Sequence, residues 1–245
     1  MDDSLVREIK TNLEIVQNKI EKAALKVGRD PKSVRLIVVT KSQPMDMVKA
    51  AIEAGAKLLG ESYAEEGVNK IIALENESGL EWHMIGHVQS RKANLIAMNF
   101  NKLHSLDGIK LAIRLDRFLG ESGKELPVLL EFNVGGEDSK YGWQASDPNS
   151  WTKFLPEIKQ ILELPHLQIT GLMTMPPFYD DPEKARPHFS NLRMLRDFLS
   201  RKFSDANWEE LSMGTSSDYE IAVEEGATFI RIGQAILGKR SPRRG

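Results

Sequence analysis

Leu5, Ile9, Leu13, Val16, Ile20 and Val27 recur at spacings of three, four and seven with charged residues between them, so the pattern predicts one long amphipathic helix over residues 4–27. Gly28 ends it and Pro31 blocks its resumption. Beyond that point short β-branched runs alternate with helical segments. Strands are predicted at 34–40, 57–60, 82–85, 103–106, 128–134, 168–173, 208–213 and 228–232, and helices begin near Pro44, Glu61, Ser90, Gly108, Asn149, Pro182 and Ser217 and after Gly233. Parallel strands need such crossovers, and eight of them in this length predict an α/β fold, a closed (β/α)8 or TIM barrel near its lower size limit, preceded by the extra N-terminal helix. An open doubly wound sheet is the alternative with the same alternation. No composition shift, Pro/Ser-rich linker or internal repeat marks a second domain, so residues 1–245 are expected to form one. Its last stretch, 239–245, carries four basic residues and reads as a frayed, solvated tail.

Charge and composition narrow the partners. Lys plus Arg number 33 against 35 Asp plus Glu, a net charge of −2, so the whole-chain field attracts neither nucleic acid nor an anionic membrane. There is no cysteine, which removes disulfides, thiolate metal sites and cysteine nucleophiles and fits a reducing cytoplasm. The opening MDDSLVREIK is acidic and amphipathic, unlike a secretory leader. No run approaches the roughly 18 apolar residues of a membrane span, so a cytoplasmic, soluble protein is expected.

In a parallel sheet the chemistry belongs at the carboxyl ends of the strands. Lys41 directly follows the run LIVVT there. A lysine held at a rigid apolar strand end is partly desolvated, which lowers its pKa and makes the neutral amine a nucleophile toward carbonyls; the plainer reading is a solvated lysine at a strand edge. The segment LSMGTSSDYEIAVEEG predicts a capping box between Ser217 and Glu220, with Ser212, Thr215 and Ser216 as added hydroxyl donors and Gly214 allowing close approach. Gly233 and Gln234 open another helix start one strand later. Loops after the seventh and eighth strands are where barrels commonly hold phosphate, although ordinary capping gives the same local pattern. Arg231 sits inside the run FIRIG, where an unpaired charge is costly. Opposite a pyridine nitrogen, it would keep that nitrogen unprotonated.

Other signals are weaker. His83 and His87 are four apart, but WHMIGH reads as strand then loop, so a helical zinc pair does not apply; His83 reads as core and His87 as lining the mouth. GESGKE lacks the spacing and the Ser or Thr of a P-loop. Asp46, Asp107, Glu131, Glu137 and Asp138 show no paired spacing, and no metal site is expected.

VVTKSQP, GESYAEE, WHMIGHVQSRK, HSLD, EDSKYG, GLMTM and the long block LSMGTSSDYEIAVEEGATFIRIGQAILGKR resemble the pyridoxal phosphate homeostasis proteins, single-domain relatives of the alanine racemase barrel. The resemblance implies a fold-type III barrel with Lys41 holding pyridoxal 5′-phosphate (PLP) as a Schiff base. It further implies phosphate contacts from Ser212, Met213, Gly214, Ser216, Ser217, Gly233 and Gln234, Arg231 facing the pyridine nitrogen, and His87, Met173 and Ser62 lining the pocket. Ser62 departs from the family's usual asparagine, Thr215 from methionine, and Tyr141 from a small residue.

Alanine racemases resemble this barrel but add a β-domain that supplies a tyrosine as second acid/base, and this chain ends just after its eighth βα unit. A racemase needs two positioned proton-transfer groups, so the expectation is a binder without catalytic residues that buffers or hands over PLP in vitamin B6 and amino-acid homeostasis. PLP-dependent apo-enzymes are the implied clients, and a monomer is expected. A slow amino-acid racemase using His87 or Tyr63 is the alternative, and a Schiff-base aldolase on a sugar phosphate is a third.

Overall fold

The computed structural model describes residues 3–238; the basic segment 239–245 lies outside the described residues. Among the described residues the strands are β1 (Arg35–Val39), β2 (Leu58–Glu61), β3 (Glu81–Met84), β4 (Lys102–Leu106), β5 (Leu126–Asn133), β6 (Trp143–Gln144), β7 (Leu167–Met173), β8 (Glu210–Ser212) and β9 (Phe229–Ile232). The helices are α1 (Asp3–Lys26), α2 (Met45–Glu53), α3 (Ala64–Ala73), α4 (Ala93–Asn99), α5 (Ile109–Ser122), α6 (Leu155–Leu162), α7 (Arg186–Lys202), α8 (Tyr219–Glu224) and α9 (Gln234–Leu237). All strand pairs are parallel. β1 lies between β2 and β9, and β4 also pairs with β5, so β6 apart the sheet closes into a ring of eight and the open doubly wound alternative is ruled out.

The alternation of side chains along each strand divides the molecule into lumen and shell. Ile37 and Val39 of β1 point inward with Leu58, Ile85 and Phe229, whereas Val38 between them joins the large outer core. That core packs the strands against the apolar stripes of the helices, such as Leu111, Leu115 and Leu119 of α5 and Phe189, Leu192, Leu195 and Leu199 of α7. The lumen is not wholly apolar. His83, Lys102, His104, Ser212 and Arg231 are all buried in the strands that line it.

The N-terminal helix buries Ile9, Leu13, Val16, Ile20, Ala23 and Ala24 against α2, α8 and α9. It thereby covers the seam where the first and last βα units meet. Asn12 Nδ2 donates to the Ile236 carbonyl at 3.0 Å, and Arg29 donates to the carbonyls of Val223 at 2.6 Å and Ala227 at 2.8 Å. No helix among the described residues is long and apolar enough to cross a membrane.

Candidate functional site

The first strand ends on a pinned turn. Thr40 donates its N–H to the Gly60 carbonyl at 3.0 Å and its hydroxyl to Glu61 Oε1 at 2.6 Å. Lys70 of α3 is buried, and its Nζ donates to the Thr40 carbonyl at 2.6 Å and to Glu61 Oε1 and Glu66 Oε1 at 2.7 Å each. Glu66 Oε1 in turn accepts from the Ser42 N–H at 2.6 Å. Both neighbours of Lys41 are therefore fastened to one ion cluster. Ser42, with φ 58°, takes the left-handed conformation that turns the chain sharply after the lysine. Burial pushes the Glu61 carboxyl up, while Lys70 and Thr40 pull it back.

The loop after β8 is built differently from the sequence expectation. Helix α8 begins at Tyr219, two residues beyond Ser217, and the capping box between Ser217 and Glu220 does not form; Glu220 instead pairs with Lys19 of α1 at 3.2 Å. Asp218 folds the loop, its Oδ1 accepting from the Thr215 N–H at 2.6 Å and the Thr215 hydroxyl at 3.1 Å. The Thr215 carbonyl then takes the N–H groups of Asp218 and Tyr219. Among the described residues nothing accepts the N–H groups of Ser216 and Ser217. Gly214 is required at the bend: at φ 92° a Cβ would stand 2.5 Å from the Ala222 Cβ. Ala235 N–H reaches Ser216 Oγ at 3.4 Å, joining this loop to the start of α9.

Arg231 is 3% exposed. Its Nη1 donates to Ser212 Oγ at 2.6 Å, and its Nη2 to the Thr174 carbonyl at 2.9 Å and the Met175 sulfur at 2.8 Å. Burial pulls the guanidinium down to about 10, with Asp218 and Glu131 resisting, so it is a buried cation at neutral pH. On the other side of the mouth, His87 Nδ1 meets Asp107 Oδ2 at 2.7 Å and its ring stacks on Tyr141 at 3.6 Å. Tyr141, where the family commonly has a small residue, thus forms part of the rim. A Cβ on Gly86 would stand 2.5 Å from the Ser62 carbonyl oxygen, which shows how closely the ends of β2 and β3 approach.

These elements surround one cavity of about 700 Å³ at the carboxyl ends of the strands, a volume in the range of small-molecule sites. Of the residues singled out from sequence, Lys41, Ser62, His87, Ser216, Ser217, Arg231, Gly233 and Gln234 line it. Met173, Ser212 and Met213 are buried beneath the wall, and Gly214 shapes the bend without lining the cavity. Met175, two residues beyond Met173, lines it instead and touches Arg231. Among the described residues no group of three or more His, Cys, Asp or Glu could hold a metal ion.

One of five scattered carboxylates, Glu131 has no role by spacing alone but gains one in the structure. It lines the cavity, it is 7% exposed, and its Oε2 has no hydrogen-bond partner among the described residues. A signal existed, since a carboxylate inside the apolar run VLLEFN is as anomalous as the arginine inside FIRIG. Burial, helped by Asp107, pushes Glu131 up to about 7 against Arg231 and Lys140, and burial also raises Asp107. Below its ordinary 4.5 the group is protonated in folded and unfolded chains alike; between 4.5 and 7 only the folded chain keeps the proton. Stability is expected to fall as pH rises through that window, by roughly 3 kcal/mol. Glu131→Gln should flatten the profile and stabilise the chain at pH 8, which urea unfolding at pH 5 and pH 8 checks.

The barrel and its site define the class: a family model described as "Alanine racemase, N-terminal domain" matches residues 8–241. Full-length relatives narrow it. The pyridoxal phosphate homeostasis protein of Aquifex aeolicus is 36% identical over 225 residues, 92% of this chain and 95% of its own. That of Escherichia coli strain K12 is 36% identical over 238 residues, covering 96% and 98%. The solved structure of Synechococcus elongatus PipY with PLP bound superposes with a TM-score of 0.79 at 33% identity, covering 94% of this chain and all of that one, 100%. An alanine racemase of Clostridium difficile shares the fold, with a TM-score of 0.71 at 15% identity over 97% of this chain and 58% of its own. The chain belongs to the pyridoxal phosphate homeostasis protein family.

Proposed function

We propose that this chain binds PLP at the barrel mouth, covalently through Lys41 Nζ, and acts as an intracellular carrier or buffer of the cofactor in vitamin B6 and amino-acid homeostasis. One observation carries the reading: a single cavity is lined by Lys41, by Ser216 and Ser217, whose N–H groups have no acceptor among the described residues, and by the buried cation Arg231. An amine for an aldehyde, donors for a phosphate and a donor-only cation for a ring nitrogen are the three partners PLP requires. Gly233 and Gln234 extend the phosphate side, and Ser62, His87 and Met175 bound the ring. Ser212 and Met213 contribute from behind the wall, Ser212 by holding Arg231 and Gly214 by shaping the loop.

When bound, PLP supplies an electrophilic aldehyde carbon and a ring that withdraws electrons most strongly when its nitrogen is protonated. Arg231 can only donate, so it favours the unprotonated nitrogen and a weak electron sink. Tyr63, Tyr141 and Phe178 stand exposed on the rim, which leaves the mouth wet and weakens the charge stabilisation that proton abstraction at carbon needs. Both features support holding without turnover. The described residues act as one PLP-binding domain, for which transient PLP-dependent apo-enzymes are the fitting clients.

A slow amino-acid racemase is the second reading, favoured by the His87–Asp107 pair at the rim. Loaded protein incubated with L-alanine in deuterium oxide separates them. The carrier shows no α-proton exchange above free PLP and restores activity to a PLP-dependent apo-enzyme. Exchange that disappears in Lys41→Ala would replace the carrier with the racemase.

A further inference from the structure

Three buried side chains and one exposed carboxylate connect Arg231 to the opposite end of the barrel. Arg231 Nη1 donates to Ser212 Oγ at 2.6 Å, Ser212 Oγ lies 2.8 Å from His104 Nδ1, and His104 Nε2 lies 2.8 Å from His83 Nδ1. His83 Nε2 faces Glu81 Oε2 at 3.5 Å, and that carboxylate accepts from Arg35 Nη2 at 2.8 Å. Ser212, His83 and His104 are at most 1% exposed, while the Glu81 side chain is 54% exposed at the start of β3. The site described above uses only the Arg231 end of this line.

The direction of every proton in the line follows from its first member. A guanidinium has no acceptor, so Ser212 Oγ must accept there. The only remaining partner for the buried Ser212 hydroxyl hydrogen among the described residues is His104 Nδ1. His104 then carries its proton on Nε2 and donates it to His83 Nδ1, which places the His83 proton on Nε2, pointing at Glu81. Reversing any link leaves two hydrogens facing each other or a buried acceptor facing an acceptor, at a cost of about 1–3 kcal/mol. Desolvation lowers both histidines, and Arg231 and Lys102 repel positive charge on His104, so both rings stay neutral. Phe229 packs edge-on against both rings, at 5.7 Å from His83 and 5.0 Å from His104.

We infer that Ser212, His104 and His83 form a one-way hydrogen-bond relay through the barrel lumen, ended at the far face by the 3.5 Å contact of His83 with Glu81, that anchors and polarises Arg231. All four are positioning residues; none lines the cavity. Because Ser212 donates down the line, its oxygen becomes a better acceptor for Arg231, and the carboxylate at the far end completes the polarisation. The link to the cofactor rests on the reading that Arg231 faces the PLP ring. The relay itself does not.

Histidine labelled with nitrogen-15 reports protonation and tautomer directly by NMR on the full chain. Without added PLP at pH 7, His83 and His104 are expected neutral with the proton on Nε2. A protonated ring, or the proton on Nδ1 of either, would overturn the relay. Glu81→Gln alters only an exposed side chain and should leave the fold unchanged. Its nitrogen shifts are expected to move at His104 as well as His83, and the Kd for PLP to change by about twofold to tenfold. Shifts confined to His83 would overturn the relay. Shifts at both rings with unchanged PLP affinity would overturn its coupling to the site. Ser212→Thr, which keeps the hydroxyl, should preserve the His104 tautomer, whereas Ser212→Ala should release it. A wild-type chain that binds no PLP would remove the cofactor reading and leave the nitrogen shifts to decide the relay.

Discussion

Lys41→Ala is expected to abolish the pyridoxyl adduct that borohydride reduction of PLP-loaded protein fixes on the chain through denaturing gel filtration, while leaving the barrel folded. The lysine lies at the cavity, and its backbone is held by neighbours: Lys70 grips the Thr40 carbonyl and Glu66 grips the Ser42 N–H. Truncating the side chain leaves that turn intact, so the cost to stability should be within about 1 kcal/mol. The Ser216–Ser217 loop and Arg231 also survive, and the variant should still bind PLP reversibly. Its visible absorbance should then be that of the free aldehyde, and dialysis should remove it. A reduced adduct retained through denaturation by Lys41→Ala would point to another attachment residue.

Lys70→Met is expected to cost about 3–5 kcal/mol, the usual loss when one partner of a buried ion pair is removed. Glu61 is fully buried, with a side chain 0% exposed, and its Oε2 has no hydrogen-bond partner among the described residues, so without Lys70 its charge keeps only the Thr40 hydroxyl and no counter-charge. The Thr40 carbonyl loses one of its two donors at the same time, keeping the Gln43 N–H at 3.1 Å. Because Thr40 and Ser42 flank Lys41, PLP affinity should fall in the same variant. Urea unfolding measures the first effect and equilibrium titration with PLP the second. Adding Glu61→Gln should recover part of the stability, since the remaining partner then carries no charge. A loss below about 1 kcal/mol in Lys70→Met would show that the cluster does not hold the turn.

The eight barrel strands and their helices were legible because each strand is a short apolar run and each crossover has helical spacing. Closure was predicted from the eight crossovers, although an open sheet has the same alternation, and the pairing of β4 with β5 is what closes the ring. Helix starts were placed early where proline lies in a preceding 3-10 turn: Pro148–Phe154 precedes α6 and Pro182–Ala185 precedes α7. Ser217 and Glu220 have capping-box spacing, yet Asp218 competes successfully for the loop by bonding Thr215. Such local competition between short polar side chains is invisible to spacing alone.

Within the site, the residues legible in advance were those at strand ends in unusual chemical surroundings. Lys41, Arg231, Ser216 and Ser217 all meet at the cavity. Glu131, Asp107 and the His83–His104 line were not assembled, because their roles come from cross-lumen neighbours that lie about 20 or more residues apart in sequence. His83 was read as a core residue, and it is one; its partner His104 makes it more than filler.

Borohydride reduction of PLP-loaded protein, followed by peptide mass mapping, tests the central claim most directly. The expected result is one pyridoxyl adduct, on the peptide containing Lys41. An adduct confined to another lysine, such as Lys140 at the same cavity, or no adduct on protein saturated with PLP, would contradict it.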